Sequence, residues 1–210
     1  MPVRFLSLLL VVALCCLPAR LAAQSAADCL VAVGEALDSA DTALFQRKVD
    51  VDALVSQAID VFVGCASDPQ MAQAMPPMLT LILSQAAKND ATGKAIKSML
   101  FTECRAFLLQ GVASGAFAGR PTGRNAGQGM LAPLFANASM GRKEIAAIGE
   151  PESQDNGWVV PFTLRDYGNG QNYALEGLVQ DDHGELRVTK IMNLPEIFLQ
   201  VLEEAQRYVE

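Results

Sequence analysis

The chain has 210 residues with 16 basic and 23 acidic side chains, a net charge of −7, and 51% hydrophobic residues. Arg4 and Arg20 fall in the first 23 residues, which hold no acid, so the remainder carries −9. A duplex-binding surface needs clustered lysine and arginine against phosphate; this balance excludes it, and no nucleic-acid partner is expected.

The first segment, MPVRFLSLLLVVALCCLPARLAAQ, sets Arg4 before an apolar run from Phe5 to Leu17, followed by the small-residue exit at Ala22-Ala23. That is the layout of a secretory signal peptide over residues 1–23, too short to span a bilayer. The expected location is the periplasm or the secreted fraction. A lipoprotein is the weaker reading, because Leu14 and Cys15 stand where a small residue would precede the lipidated cysteine. The later apolar run MLTLILSQAA is also far short of a span, so no stable membrane insertion is expected after cleavage.

Residues 24–113 read as helical. Leu30, Val33 and Leu37 share one face. DVDALVSQAIDVFVG opens on Asp50 as an N-cap, stacks Val51, Leu54, Val55, Ala58, Ile59 and Phe62, and stops at Gly64. Pro76-Pro77 starts a further helix through Gln85. Ile96, Leu100, Cys104, Phe107, Leu108 and Val112 then recur at spacings of three and four. Residues 114–142 read as a glycine-rich loop with a short helix, in which Arg120 and Arg124 lack the Lys-Ser/Thr of a phosphate loop.

Residues 143–210 carry strand signals and a closing helix. WVVPFTLRDY alternates Trp158, Val160, Phe162 and Leu164; NYALEGLVQ alternates Tyr173, Leu175 and Val179; ELRVTKIMN is a third run and KEIAAIG a weaker one. Pro161 predicts an edge strand or a bulge, and Val188 with Ile191 on opposite faces predicts a bulge or two-sided burial. The final helix places Leu194, Ile197, Phe198, Val201, Leu202 and Ala205 on one face, with Glu203 and Glu204 toward solvent. The fold class is α+β: a helical half, a small antiparallel sheet and a C-terminal helix.

The stretch RDYGNGQNY offers Asp166, Asn169 and Asn172 among glycines. Counting from Asp166, a calcium loop would need ligands where Gly168, Gly170 and Gly177 stand, and the stretch lies between two strands, so it reads as a hairpin turn. His183 sits at a second turn. Three cysteines follow the leader, 36 and 39 residues apart, without the close pairs that structural zinc requires, and no metal or cofactor is expected. In an oxidising compartment Cys29 and Cys65 are the expected disulfide, on the premise that their helices form an antiparallel hairpin; Cys65–Cys104 is the alternative. No serine, cysteine or phosphate-loop signature is present.

SADTALFQRKVDVDALVSQAIDVF and GELRVTKIMNLPEIF resemble the opening and closing stretches of a family of uncharacterised exported bacterial domains, with Leu186 where that family has tryptophan. The resemblance implies helices on a small bent sheet, similar to nuclear-transport-factor-like or cystatin-like sheets, and neither stretch holds a catalytic group. The leading expectation is a non-catalytic exported binding domain for an unknown protein or small molecule. A carrier of an apolar ligand, with a pocket lined by Trp158, Phe162, Leu164, Tyr173 and Leu175, is the first alternative. A hydrolase built on a pair of carboxylates is the second.

Overall fold

The computed structural model describes residues 23–68, 72, 75, 77–121 and 141–207; the signal-peptide reading and Arg124 fall outside them. Helix α1 (23–39) buries Leu30, Val33 and Leu37, the face that its spacing predicts. A short α2 (Thr42–Lys48) begins at Asp41, whose carboxylate accepts from the Leu44 amide. Asp50 caps α3 (Val51–Ala66) by accepting from the Ala53 amide at 3.0 Å. The helix runs two residues past Gly64 and buries Val51, Val55, Ile59 and Val63. Helices α4 (Pro77–Ala86) and α5 (Ala91–Ala113) follow. Pro77 occupies the first turn of α4, where its missing N–H costs nothing. Ion pairs Asp52–Arg105 and Asp60–Lys97 lie at 2.6 and 3.1 Å, so α3 and α5 run antiparallel. Both pairs are exposed and fix direction more than they stabilise.

The start of the glycine-rich stretch is packed rather than loose. Gly115 and Gly119, both left-handed, bracket a 3₁₀ turn over Ala116–Ala118 that buries Phe117. The Phe117 ring lies where any side chain at residue 111 would have to be, so Gly111 admits this contact. Arg120 donates to the carbonyls of Asp38 and Ser39, closing the C-terminal end of α1.

The sheet is antiparallel, in the order β1 (Lys143–Ala146), β3 (Gly157–Asp166), β4 (Gln171–Asp182), β5 (Glu185–Ile191), with the short β2 (Glu152–Gln154) also on β3. Pro161 does not place β3 at an edge. β1 pairs with Thr163–Asp166 and β2 with Gly157–Val159 on the same side of β3, and Pro161 falls in the gap between them. Its missing donor is therefore not needed there, and its carbonyl accepts from the Gly149 amide at 2.8 Å. The expected irregularity in β5 is a bulge: Leu178 faces Lys190 and Val179 faces Val188, leaving Thr189 extra.

The outer edge of β5 is closed by the helical half. Val49 bridges Val188, and the Asp50 amide donates to the Val188 carbonyl at 2.9 Å. The Gln57 side chain then takes both backbone groups of Ile191, donating to its carbonyl at 2.6 Å and accepting from its amide at 3.0 Å. An exposed strand edge is a template for aggregation, and this one is occupied. Asn193 plays the matching part on β4, donating to the Ala174 carbonyl and accepting from the Glu176 amide where β5 has ended. Its own carbonyl receives the Ile197 amide, so the same residue opens α6 (Leu194–Arg207).

Candidate functional site

Trp158, Phe162, Leu164, Tyr173 and Leu175 do come together. Phe162 faces Leu175 and Leu164 faces Tyr173 across the β3–β4 ladder, while Trp158 faces Val179, so all five project from one sheet face. Phe162, Tyr173 and Leu175 are buried, and Trp158 and Leu164 are half-buried against the same core. The helices close on this inner face. Gly34 of α1 backs onto Ile145 of β1, and Phe62 of α3 meets Phe198 of α6 edge-on at 4.3 Å between ring centroids.

Cys29 and Cys65 do not form the expected disulfide; all three described cysteines are free. Cys29 packs between the end of α2 and β5, its thiol donating to the carbonyls of Leu186 at 3.2 Å and of Lys48, two residues short of Asp50, at 3.7 Å. Cys65 closes α3, 15 residues beyond Asp50, or ~22 Å along a helix rising 1.5 Å per residue. A bridge needs Cα atoms within about 7 Å. The hairpin premise failed because α2 intervenes and α1 crosses the sheet instead of lying along α3. Cys104 lies beside Arg105, across from Asp52, and is likewise remote from Cys65. Burial pushes the Cys29 and Cys104 thiols up to about 11, the state of inert core sulfur rather than of a nucleophile. His183 stands at the β4–β5 turn with its side chain 98% exposed.

RDYGNGQNY is a hairpin turn joining β3 to β4, with Gly170 left-handed. Asp166, Asn169 and Tyr173 join a cluster that the sequence alone does not reveal, whereas Arg165, Tyr167 and Asn172 are exposed. Asp166 is buried, paired with Lys143 at 2.7 Å, and accepts from the Gly168 amide at 2.8 Å. Asn169 donates to the Tyr173 hydroxyl at 2.8 Å, and that hydroxyl donates to Glu204 of α6 at 2.9 Å. The second Glu204 oxygen accepts from Gln200 at 2.9 Å. Glu204 is thus buried, not solvent-facing, and α6 is rotated so that Val201, expected inside, is 41% exposed. Burial first, then the Glu204 carboxylate, push the Tyr173 phenol up to about 12. Burial pushes the Lys143 ammonium down, and Asp166 partly restores it. Lys143–Asp166 ties β1 to the hairpin and Tyr173–Glu204 ties β4 to α6, while the other bonds orient those groups, so the cluster reads as a clasp holding α6 and the hairpin to the sheet.

The opposite face of the sheet has a different character. Val159, Pro161 and Leu178 are half-buried there, with Met192 beside them, and the start of α3 (Asp50, Ala53) walls the cleft at Leu178. Shallow clefts of about 590, 410 and 330 Å³ run across this face. Asn156, Leu178 and Gln180 are shared by the first two, and Ser153 and Gln154 by the last two. Gln180 is held by the Asn156 carbonyl, to which it donates, and by the Thr189 hydroxyl, from which it accepts at 2.7 Å. The signal in the sequence is that β3 is apolar on both faces: Val159 and Pro161 interleave with Trp158, Val160 and Phe162.

Among the described residues, no three His, Cys, Asp or Glu side chains converge on a metal position, and no helix is long and apolar enough to cross a membrane. No family model, curated protein or solved structure matches the chain.

Proposed function

We propose that this chain is an exported, non-catalytic binding domain that engages its partner through the outer face of the sheet. The observation that carries the reading is the asymmetry of the two faces. The inner one is packed under α1, α3 and α6, whereas the outer one carries Val159, Pro161, Leu178 and Met192 half-buried in shallow clefts, walled at the Leu178 end by Asp50 and Ala53 at the start of α3. Clefts that set half-buried apolar groups among charged ones offer a partner both kinds of contact. The buried acids and the lysine of the inner cluster are engaged in holding the fold, which favours binding over catalysis.

Native mass spectrometry of the protein recovered from cells that export it tests the reading. A stoichiometric complex is expected, lost in Leu178→Arg and kept in Val201→Arg, with both variants checked for a cooperative unfolding transition. A complex that survives Leu178→Arg, or no complex at all, overturns it.

A further inference from the structure

We infer that the occupant of the outer sheet face is a cationic, amphipathic segment of a partner protein. The inference rests on the reading just given and names the chemistry of the partner. Leu178 floors two of the clefts, and Val159, Pro161 and Met192 line the third, which adjoins them through Ser153 and Gln154. Their charged lining is one-sided. Glu152, Asp155, Glu176, Asp181, Asp182 and Asp50 supply six carboxylates against the single ammonium of Lys190. Three of the six have local duties: Asp50 caps α3, Asp181 accepts from the Gly184 amide, and Asp182 pairs with Arg187. Glu152 and Asp155 are exposed at the rim on the β2–β3 side, and Glu176 is exposed in the middle of β4, opposite Pro161. A partner must therefore present apolar side chains to the floor and positive charge to the rim.

The size of the face fits a peptide segment better than a small cation. β2, β3, β4 and β5 lie side by side, about 14–15 Å across at the usual interstrand spacing. That is wider than one helix of about 10–12 Å, so a helical or extended segment can lie on it with both flanks near the acids. Rim carboxylates of this kind steer association and set partner choice more than they add affinity, so binding should weaken as salt screens them.

The test uses the whole mature protein and three amphipathic peptides of about 14 residues, ~20 Å long as helices. One is built from leucine and lysine, one from leucine and glutamate, one from leucine and glutamine. Binding is read by fluorescence anisotropy of the labelled peptide. The lysine peptide should bind, the glutamate peptide should not, and Glu152→Lys/Glu176→Lys should weaken binding about tenfold. Asp28→Lys/Glu35→Lys makes the same charge change on exposed positions of α1 and should leave affinity within about twofold. Equal weakening by the two double variants means unspecific charge attraction and overturns the inference. Equal binding of the glutamine peptide removes the cationic class while leaving the face as a binding surface. So does a native complex that forms although none of the three peptides binds. Self-association in sedimentation, abolished by Glu176→Lys, would make a second copy the occupant and would also overturn it. Loss of every peptide and of the native complex sinks both readings together.

Discussion

Removing the Tyr173 hydroxyl or the Glu204 carboxylate tests whether α6 is held by a polar clasp. Tyr173 and Glu204 are 6% and 8% exposed, with 2.9 Å between the hydroxyl and the carboxylate. A hydrogen bond to a charged, buried acceptor contributes about 1.5–3 kcal/mol. Tyr173→Phe deletes the hydroxyl's donation to Glu204 and also takes the acceptor of Asn169. We expect a loss of about 2 kcal/mol. Glu204→Met keeps the volume but strands the phenol hydrogen, for about 1–2 kcal/mol. The two changes remove the same bond, so the double variant should fall short of their sum by roughly 1 kcal/mol or more. Urea unfolding followed by Trp158 emission and by far-ultraviolet circular dichroism gives each value, provided the slope with denaturant is unchanged. An effect of Glu204→Met under about 0.5 kcal/mol, with additivity in the cycle, would return Glu204 to solvent and refute the clasp.

Gln57→Ala should cost about 2 kcal/mol, since it leaves both backbone groups of Ile191 without their partner. Hydrogen exchange at the Ile191 amide should accelerate in step, and unchanged protection would contradict the sealed edge. Cys29, Cys65 and Cys104 should all alkylate in denaturant without reductant, and native Cys29 should react only slowly until the pH approaches about 11. A disulfide-linked peptide pair in the digest would disprove this. The folded Tyr173 phenol lies above its unfolded value, so its contribution to stability is whole below pH 10 and is lost as the pH climbs through about 12. Wild type should therefore lose more stability than Tyr173→Phe over that range; parallel pH profiles would contradict the shift.

Much of the fold is legible in local chemistry. Asp50 declares a helix start because its side chain can reach an amide three residues on, and Gly170 and Gly184 mark turns because they accept left-handed backbone. The bulge at Thr189 follows from the parity of Val188 and Ile191. What stayed hidden depends on partners far along the chain. The orientation of α6 cannot be had from its apolar residues, because a phenol 31 residues earlier draws Glu204 inward and turns Val201 out. Pro161 is tolerated inside β3 by a gap between two short strands, one of which gives no sequence signal of its own. The distance between Cys29 and Cys65 follows from how α1 crosses the sheet, which no spacing along the chain encodes. The outer face is hard to read because Val159 and Pro161 alternate with an inward stripe that is apolar as well. The two stretches on which the family resemblance rests prove to touch: Val49, Asp50 and Gln57 of one lie on Val188 and Ile191 of the other.

That contact makes the helical half and the sheet half complementary fragments. A chain cut between residues 121 and 141 would leave the second piece with the free edge of β5 uncovered, and the first with Gln57 and the Asp50 amide facing water. Neither piece holds a whole core, because the clusters under β3 and β4 draw side chains from α1, α3 and α6 alike. Supplied together, each carries the surface the other lacks. The protein is thus suited to reconstitution from two halves, with recovery of the native fold reporting their encounter.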